Sequence, residues 1–82
     1  MELIYSVKVN GEVIQSSCIN RFITQYLHTI GTVSFMGVPI SHNMAFDLLF
    51  ELIYQDEYDV LKDVELDNGH IVKVVYTNAF NP

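Results

Sequence analysis

Asn10-Gly11 lies between two runs in which apolar and polar residues alternate, and it constrains the fold more than any other dipeptide in the chain. A type I′ turn needs φ > 0 at both central positions, which Asn and Gly accept most readily. Upstream, Leu3, Tyr5, Val7 and Val9 alternate with Glu2, Ser6 and Lys8, the period of a half-buried strand. A two-residue turn sets Val9 opposite Glu12 and Val7 opposite Ile14. One face then carries Leu3, Tyr5, Val7, Val9 and Ile14, while Ile4 and Val13 are the apolar exceptions on the other.

Asp67-Asn68-Gly69 marks a second hairpin, over residues 62–67 and 70–77. A two-residue turn would pair Asp67 with His70. A three-residue turn with Gly69 in the left-handed region and a G1 bulge would pair Leu66 with His70. The bulged form is preferred. It places Val64, Leu66, Val72, Val74 and Tyr76 on one face and sets Asp63 opposite Lys73 on the other, a favourable cross-strand pair.

Helical periods fill the middle of the chain. Ile19, Phe22, Ile23, Tyr26, Leu27 and Ile30 form one apolar stripe; Asn20, Arg21, Thr24, Gln25 and His28 form the wet face. Ser16 or Ser17 can cap the start, and Gly31 stands at the C′ stop. Ser41 caps a second helix over residues 42–54. Its apolar residues cover most of the circumference, with Asp47 and Glu51 marking the one polar side. Such a helix is either central to the fold or supplies an interface. Between the helices, Thr-Val-Ser-Phe-Met-Gly-Val-Pro-Ile (32–40) is uncharged and broken by Gly37 and Pro39. A short strand over 32–36 and an ordered loop both remain open.

The predicted order is β-β-α-(β)-α-β-β: a small single α+β domain over residues 1–82, with one antiparallel sheet from two hairpins packed against two α-helices. Residues 78–82 read as a loose tail. Half of the 82 residues are apolar and only 17% are charged, so a dense core is available and burying all the apolar surface alone is difficult. A homodimer or a stable partner follows as an expectation.

Four Lys and Arg stand against ten Asp and Glu, for a net charge of −6. That balance argues against direct nucleic-acid binding, which needs cations to replace phosphate counterions. It argues equally against anionic membranes. A lone Cys18, a start without a basic and apolar leader pattern, and the lack of a run near the ~18 apolar residues of a membrane span point to a cytoplasmic protein.

No catalytic or metal pattern emerges. Cys18 precedes the first apolar stripe as a small buried hydrophobe would. His28, His42 and His70 share no ligand spacing and read as surface histidines. Asp63-Val-Glu65-Leu-Asp67 begins like a calcium loop, but the sixth position is Asn68 and the twelfth is Val74, where an EF-hand needs Gly and Glu. Asp47 and Glu51 share a helix face without a neighbouring base. The expectation is a non-enzymatic protein with no metal and no cofactor.

Eight of the ten acids fall within residues 47–67, interleaved with Phe50, Tyr54 and Tyr58. They come from a helix, a polar connector and a strand, so folding could assemble them into one patch. Asp47, Glu51, Asp56, Glu57, Asp59, Asp63, Glu65 and Asp67, with Tyr54 and Tyr58, are therefore the candidate contacts for a protein partner with a basic surface. In size and charge the chain resembles small acidic inhibitors of bacteriophages and mobile elements, the anti-restriction and anti-CRISPR class. The resemblance rests on no motif, and it implies a DNA-mimicking inhibitor of a nucleic-acid-handling protein. The alternative is a self-associating or assembly subunit. Phe46 and Phe50 would then mediate self-association, and the acids would only keep the protein soluble.

Overall fold

The structure is a computed structural model, and it describes residues 3–54 and 63–76. The first hairpin joins β1 (Leu3–Val9) to β2 (Glu12–Ser16), with Asn10 at φ 51° and Gly11 at φ 86° in its turn. Val9 pairs with Glu12 and Val7 with Ile14, the register a two-residue turn demands. Tyr5, Val7 and Val9 are buried, whereas Val13 on the opposite face is exposed.

Helix α1 (Ile19–Ile30) buries Phe22, Ile23, Tyr26 and Leu27 and ends at Gly31 with φ 75°. Its N-cap is Cys18 and not a serine; Ser16 Oγ instead accepts from the Cys18 N–H at 3.1 Å. Cys18 is exposed, against the expectation of a buried hydrophobe. In a continued helix it would lie on the stripe one turn before Phe22. Its extended backbone (φ −100°, ψ 114°) takes the residue off the helical path.

The segment after α1 is neither a lone strand nor a loop. It folds into a separate two-stranded ribbon of β3 (Val33–Phe35) and β4 (Val38–Ile40). The turn uses Met36 at φ 52° and Gly37 at φ 82°, again both positive. Gly37 thus closes a hairpin and does not break a strand. Pro39 is tolerated for a reason of phase. Phe35 and Val38 flank the two-residue turn as the hydrogen-bonded pair, so Ser34 and Pro39 form the next, non-hydrogen-bonded pair. At such a position the missing N–H would have pointed away from the ladder, so no ladder bond is lost.

Helix α2 (His42–Ile53) begins at Ser41, whose Oγ accepts from the Met44 N–H at 3.2 Å. It is not the central helix. Only Ala45 and Ile53 are buried, and Met44, Leu48 and Leu52 are exposed.

The second hairpin pairs β5 (Asp63–Glu65) with β6 (Ile71–Tyr76), Asp63 standing opposite Lys73. Gly69 sits at φ 89°, the Leu66 N–H donates to His70 O at 2.8 Å, and the Gly69 N–H donates to Leu66 O at 3.0 Å. This is the bulged three-residue turn. Among the described residues the main sheet runs β2-β1-β6-β5, antiparallel throughout. The expected single sheet is therefore one four-stranded sheet plus the detached ribbon. The core gathers Tyr5, Val7, Val9, Val64, Leu66, Val72 and Val74 from the sheet against Phe22, Ile23, Tyr26 and Leu27 of α1, with Ala45 and Ile53 of α2.

Candidate functional site

Three stripes run along α2. At 100° per residue, Ala45, Leu49 and Ile53 point to the core, and the two flanks diverge from there. On one flank Phe46, Phe50 and Tyr54 stack at i, i+4 spacing, with ring centroids 6.3 and 5.3 Å apart and planes within 23°. Phe46 and Phe50 are half-buried against the core, and Tyr54 is exposed at the helix end. On the other flank lie Met44, Leu48 and Leu52. Asp47 and Glu51 project between the flanks, both exposed.

The second flank forms one wall of a groove of about 950 Å³. The β3–β4 ribbon forms the facing wall through Val33, Phe35, Met36 and Ile40, with Tyr26 and Ile30 of α1 also lining it. Leu66, Asp67 and Asn68 complete it from the second hairpin turn, and Glu51 enters from α2. The apolar side chains here are open to solvent: Met36 is 82% exposed, Phe35 43% and Leu52 42%.

The candidate acids are divided by the fold. Glu51 and Asp67 share the groove. Asp47 lies one turn from Glu51 on the outward side of α2. Asp63 and Glu65 flank the buried Val64, so alternation places them on the sheet face opposite the helices, and Asp63 faces Lys73 there. Asp56, Glu57, Tyr58 and Asp59 lie outside the described residues, as does the 78–82 tail. Among the described residues, then, the acids occupy two surfaces and not one.

Tyr26 and Asn68, which line the groove, form a polar cluster with His70. Asn68 Oδ1 accepts from the His70 backbone N–H at 3.0 Å, which fixes the amide orientation. Asn68 Nδ2 therefore donates to Tyr26 Oη at 2.8 Å, and the Tyr26 hydroxyl is left to donate to His70 Nδ1 at 2.7 Å. The two rings meet edge to face at 5.7 Å. His70 is thus a partner of the core tyrosine and not a plain surface residue. Similarly, His42 Nε2 contacts the Gly31 carbonyl, tying the start of α2 to the end of α1. Local sequence could not show either bond, since each partner lies 11 or more positions away.

Burial raises the Tyr26 hydroxyl above its ordinary 10.0, partly opposed by the Asn68 hydrogen bond. Burial, then Tyr54 and Cys18, raises Tyr5 in the same direction. Between 10.0 and the raised values the unfolded chain has lost these protons while the folded chain keeps them. Stability is therefore full below 10.0 and falls as pH rises beyond it. Urea midpoints measured from neutral to strongly alkaline pH should show this fall. Tyr26→Phe should reduce it to the part that Tyr5 supplies and lower stability at neutral pH by about 1 kcal/mol, as two hydrogen bonds revert to water.

Among the described residues no group of three or more His, Cys, Asp or Glu could hold a metal ion, and no helix is long and apolar enough to cross a membrane. Comparison with known proteins adds nothing to this geometry: no family model matches the chain, and neither does any curated protein or solved structure.

Proposed function

We propose that the chain is a non-enzymatic protein-binding domain that docks on a basic surface of a larger partner, using α2 and the β3–β4 ribbon. One observation carries this reading: exposed apolar side chains surround a single groove that also holds Glu51 and Asp67, in a chain of net charge −6. Exposed apolar surface rimmed by polar groups marks interaction sites. Charge directs the encounter toward cations, which are concentrated on the nucleic-acid sites of other proteins. A DNA-mimicking inhibitor remains one form of this proposal. A phosphate-like array would draw its acids from one surface, so the described carboxylates favour mixed apolar and charged docking.

The test is capture by the tagged protein from a lysate of its source cells, washed at low and then high salt. A basic nucleic-acid-handling partner should be retained, released by salt and competed by duplex DNA. Glu51→Lys combined with Asp67→Lys should abolish capture while changing stability by no more than about 0.5 kcal/mol, since both residues are exposed. Recovery of the protein alone, or capture indifferent to the double reversal, would defeat the proposal.

A further inference from the structure

We infer that the groove receives a basic amphipathic helix: a partner segment with one apolar stripe flanked by Lys or Arg. The inference rests on the protein-binding reading and specifies its ligand.

The form of the ligand follows from the walls. One wall is α2, whose twelve residues make about 18 Å of helix with its backbone already hydrogen-bonded. What the groove presents is chiefly aliphatic and aromatic side chains, Leu48 and Leu52 on one side and Phe35, Met36 and Ile40 on the other. An extended peptide could pair at most with a three-residue edge of the ribbon and would leave the rest of its N–H and C=O groups without partners against such walls. A helix satisfies them internally and offers anchors at i, i+3, i+4 and i+7, the pattern of helix-in-groove recognition. Met36, exposed at the ribbon tip, adds a side chain that adapts to irregular apolar shapes.

The charge of the ligand follows from the carboxylates in the lining. Glu51 comes from α2 and Asp67 from the second hairpin turn, so the groove carries carboxylates from two separate elements. Of the described cations, Lys8, Arg21 and Lys73, none lines it. A second copy of this chain would bring Glu51 and Asp67 toward another set of acids, and two chains of net −6 repel. Cations flanking an apolar stripe meet both features at once.

The probe is a labelled synthetic peptide of about four helical turns, with Leu on the stripe and Lys elsewhere. One control replaces Lys with Glu, and another keeps Lys and replaces Leu with Ser. Fluorescence anisotropy against the full chain should show the Leu/Lys peptide binding at least about tenfold more tightly than either control. Leu48→Ser with Leu52→Ser should weaken it by about tenfold. Met36→Asn gives a second variant in case that pair perturbs folding, because Asn accepts the positive φ found there. It should also weaken binding with the melting temperature kept.

No binding of the Leu/Lys peptide up to its solubility limit overturns the inference. So does equal binding of the Glu control, or of the Ser control, which would mean charge alone. Dimerisation in sedimentation equilibrium that Met36→Asn abolishes would give the groove to a second copy, and also overturns it. Capture of a basic partner that Met36→Asn and Leu48→Ser leave intact retains the protein-binding reading and removes this one; capture of no basic partner removes both.

Discussion

Phe22→Ala is expected to lower the free energy of unfolding by about 3–5 kcal/mol. Phe22 is fully buried, with its ring 6.1 Å from that of Tyr5 across the helix–sheet interface. Removing it takes away transfer free energy and leaves a cavity that a sheet on one side and a helix on the other cannot easily close. A domain of this length has about 4–12 kcal/mol in total, so the variant would stand near the edge of folding. Thermal unfolding followed by circular dichroism should show a fall of tens of degrees or no transition, whereas the exposed neighbour Arg21→Ala should stay within about 0.5 kcal/mol of the parent. A small shift for Phe22→Ala would mean that α1 does not pack as described.

Val72→Asp should be larger still. Val72 is fully buried in the core, paired with Val7 on one side and Val64 on the other. A carboxylate there has no partner, and the cost of burying it exceeds about 4 kcal/mol. At neutral pH the variant should give the collapsed amide dispersion of an unfolded chain. Acidification that neutralises the carboxyl should recover part of the structure. Lys73→Asp, one residue along, is the contrast. It projects from the other face, opposite Asp63, and costs only the cross-strand repulsion of about 0.2–1 kcal/mol. If the two substitutions proved equally harmful, the alternation assigned to β6 would be wrong.

Legibility followed the range of each interaction. Asn10-Gly11 announced its register because the turn requires two positive φ values and few dipeptides supply them. Asp67-Asn68-Gly69 is legible as a bulged turn because only that register sets Val64 opposite Val72, where a two-residue turn would set it opposite Lys73. The stripe from Ile19 to Ile30 needed no information beyond its own period. Met36-Gly37 forms the same kind of turn as Asn10-Gly11, yet Met seldom adopts positive φ, so the pattern carries no hairpin signal for β4. Pro39 strengthened the impression of a break, since its harmlessness depends on the pairing phase. Helical spacing places Cys18 inward, and one non-helical residue suffices to expose it.

The candidate site was legible in its elements and not in its assembly. The all-round apolar second helix and the uncharged 32–40 segment both stand out in the sequence, and the aromatics Phe46 and Phe50 lie on a half-buried flank. The exposed flank is Met44, Leu48 and Leu52, and which flank stays open depends on where the sheet and ribbon sit.

By itself the sequence determined the two hairpin registers, the buried face of α1, the polar side of α2 at Asp47 and Glu51, the caps at Ser41 and Gly31, and the acidic balance. These follow from turn chemistry and periodicity, which act over a few residues. Only the tertiary structure decided the strand order β2-β1-β6-β5, the detachment of the ribbon, the Tyr26–Asn68–His70 cluster and the division of the acids between two surfaces. Each of those depends on elements tens of residues apart competing for the same core, and no local pattern records the outcome of that competition.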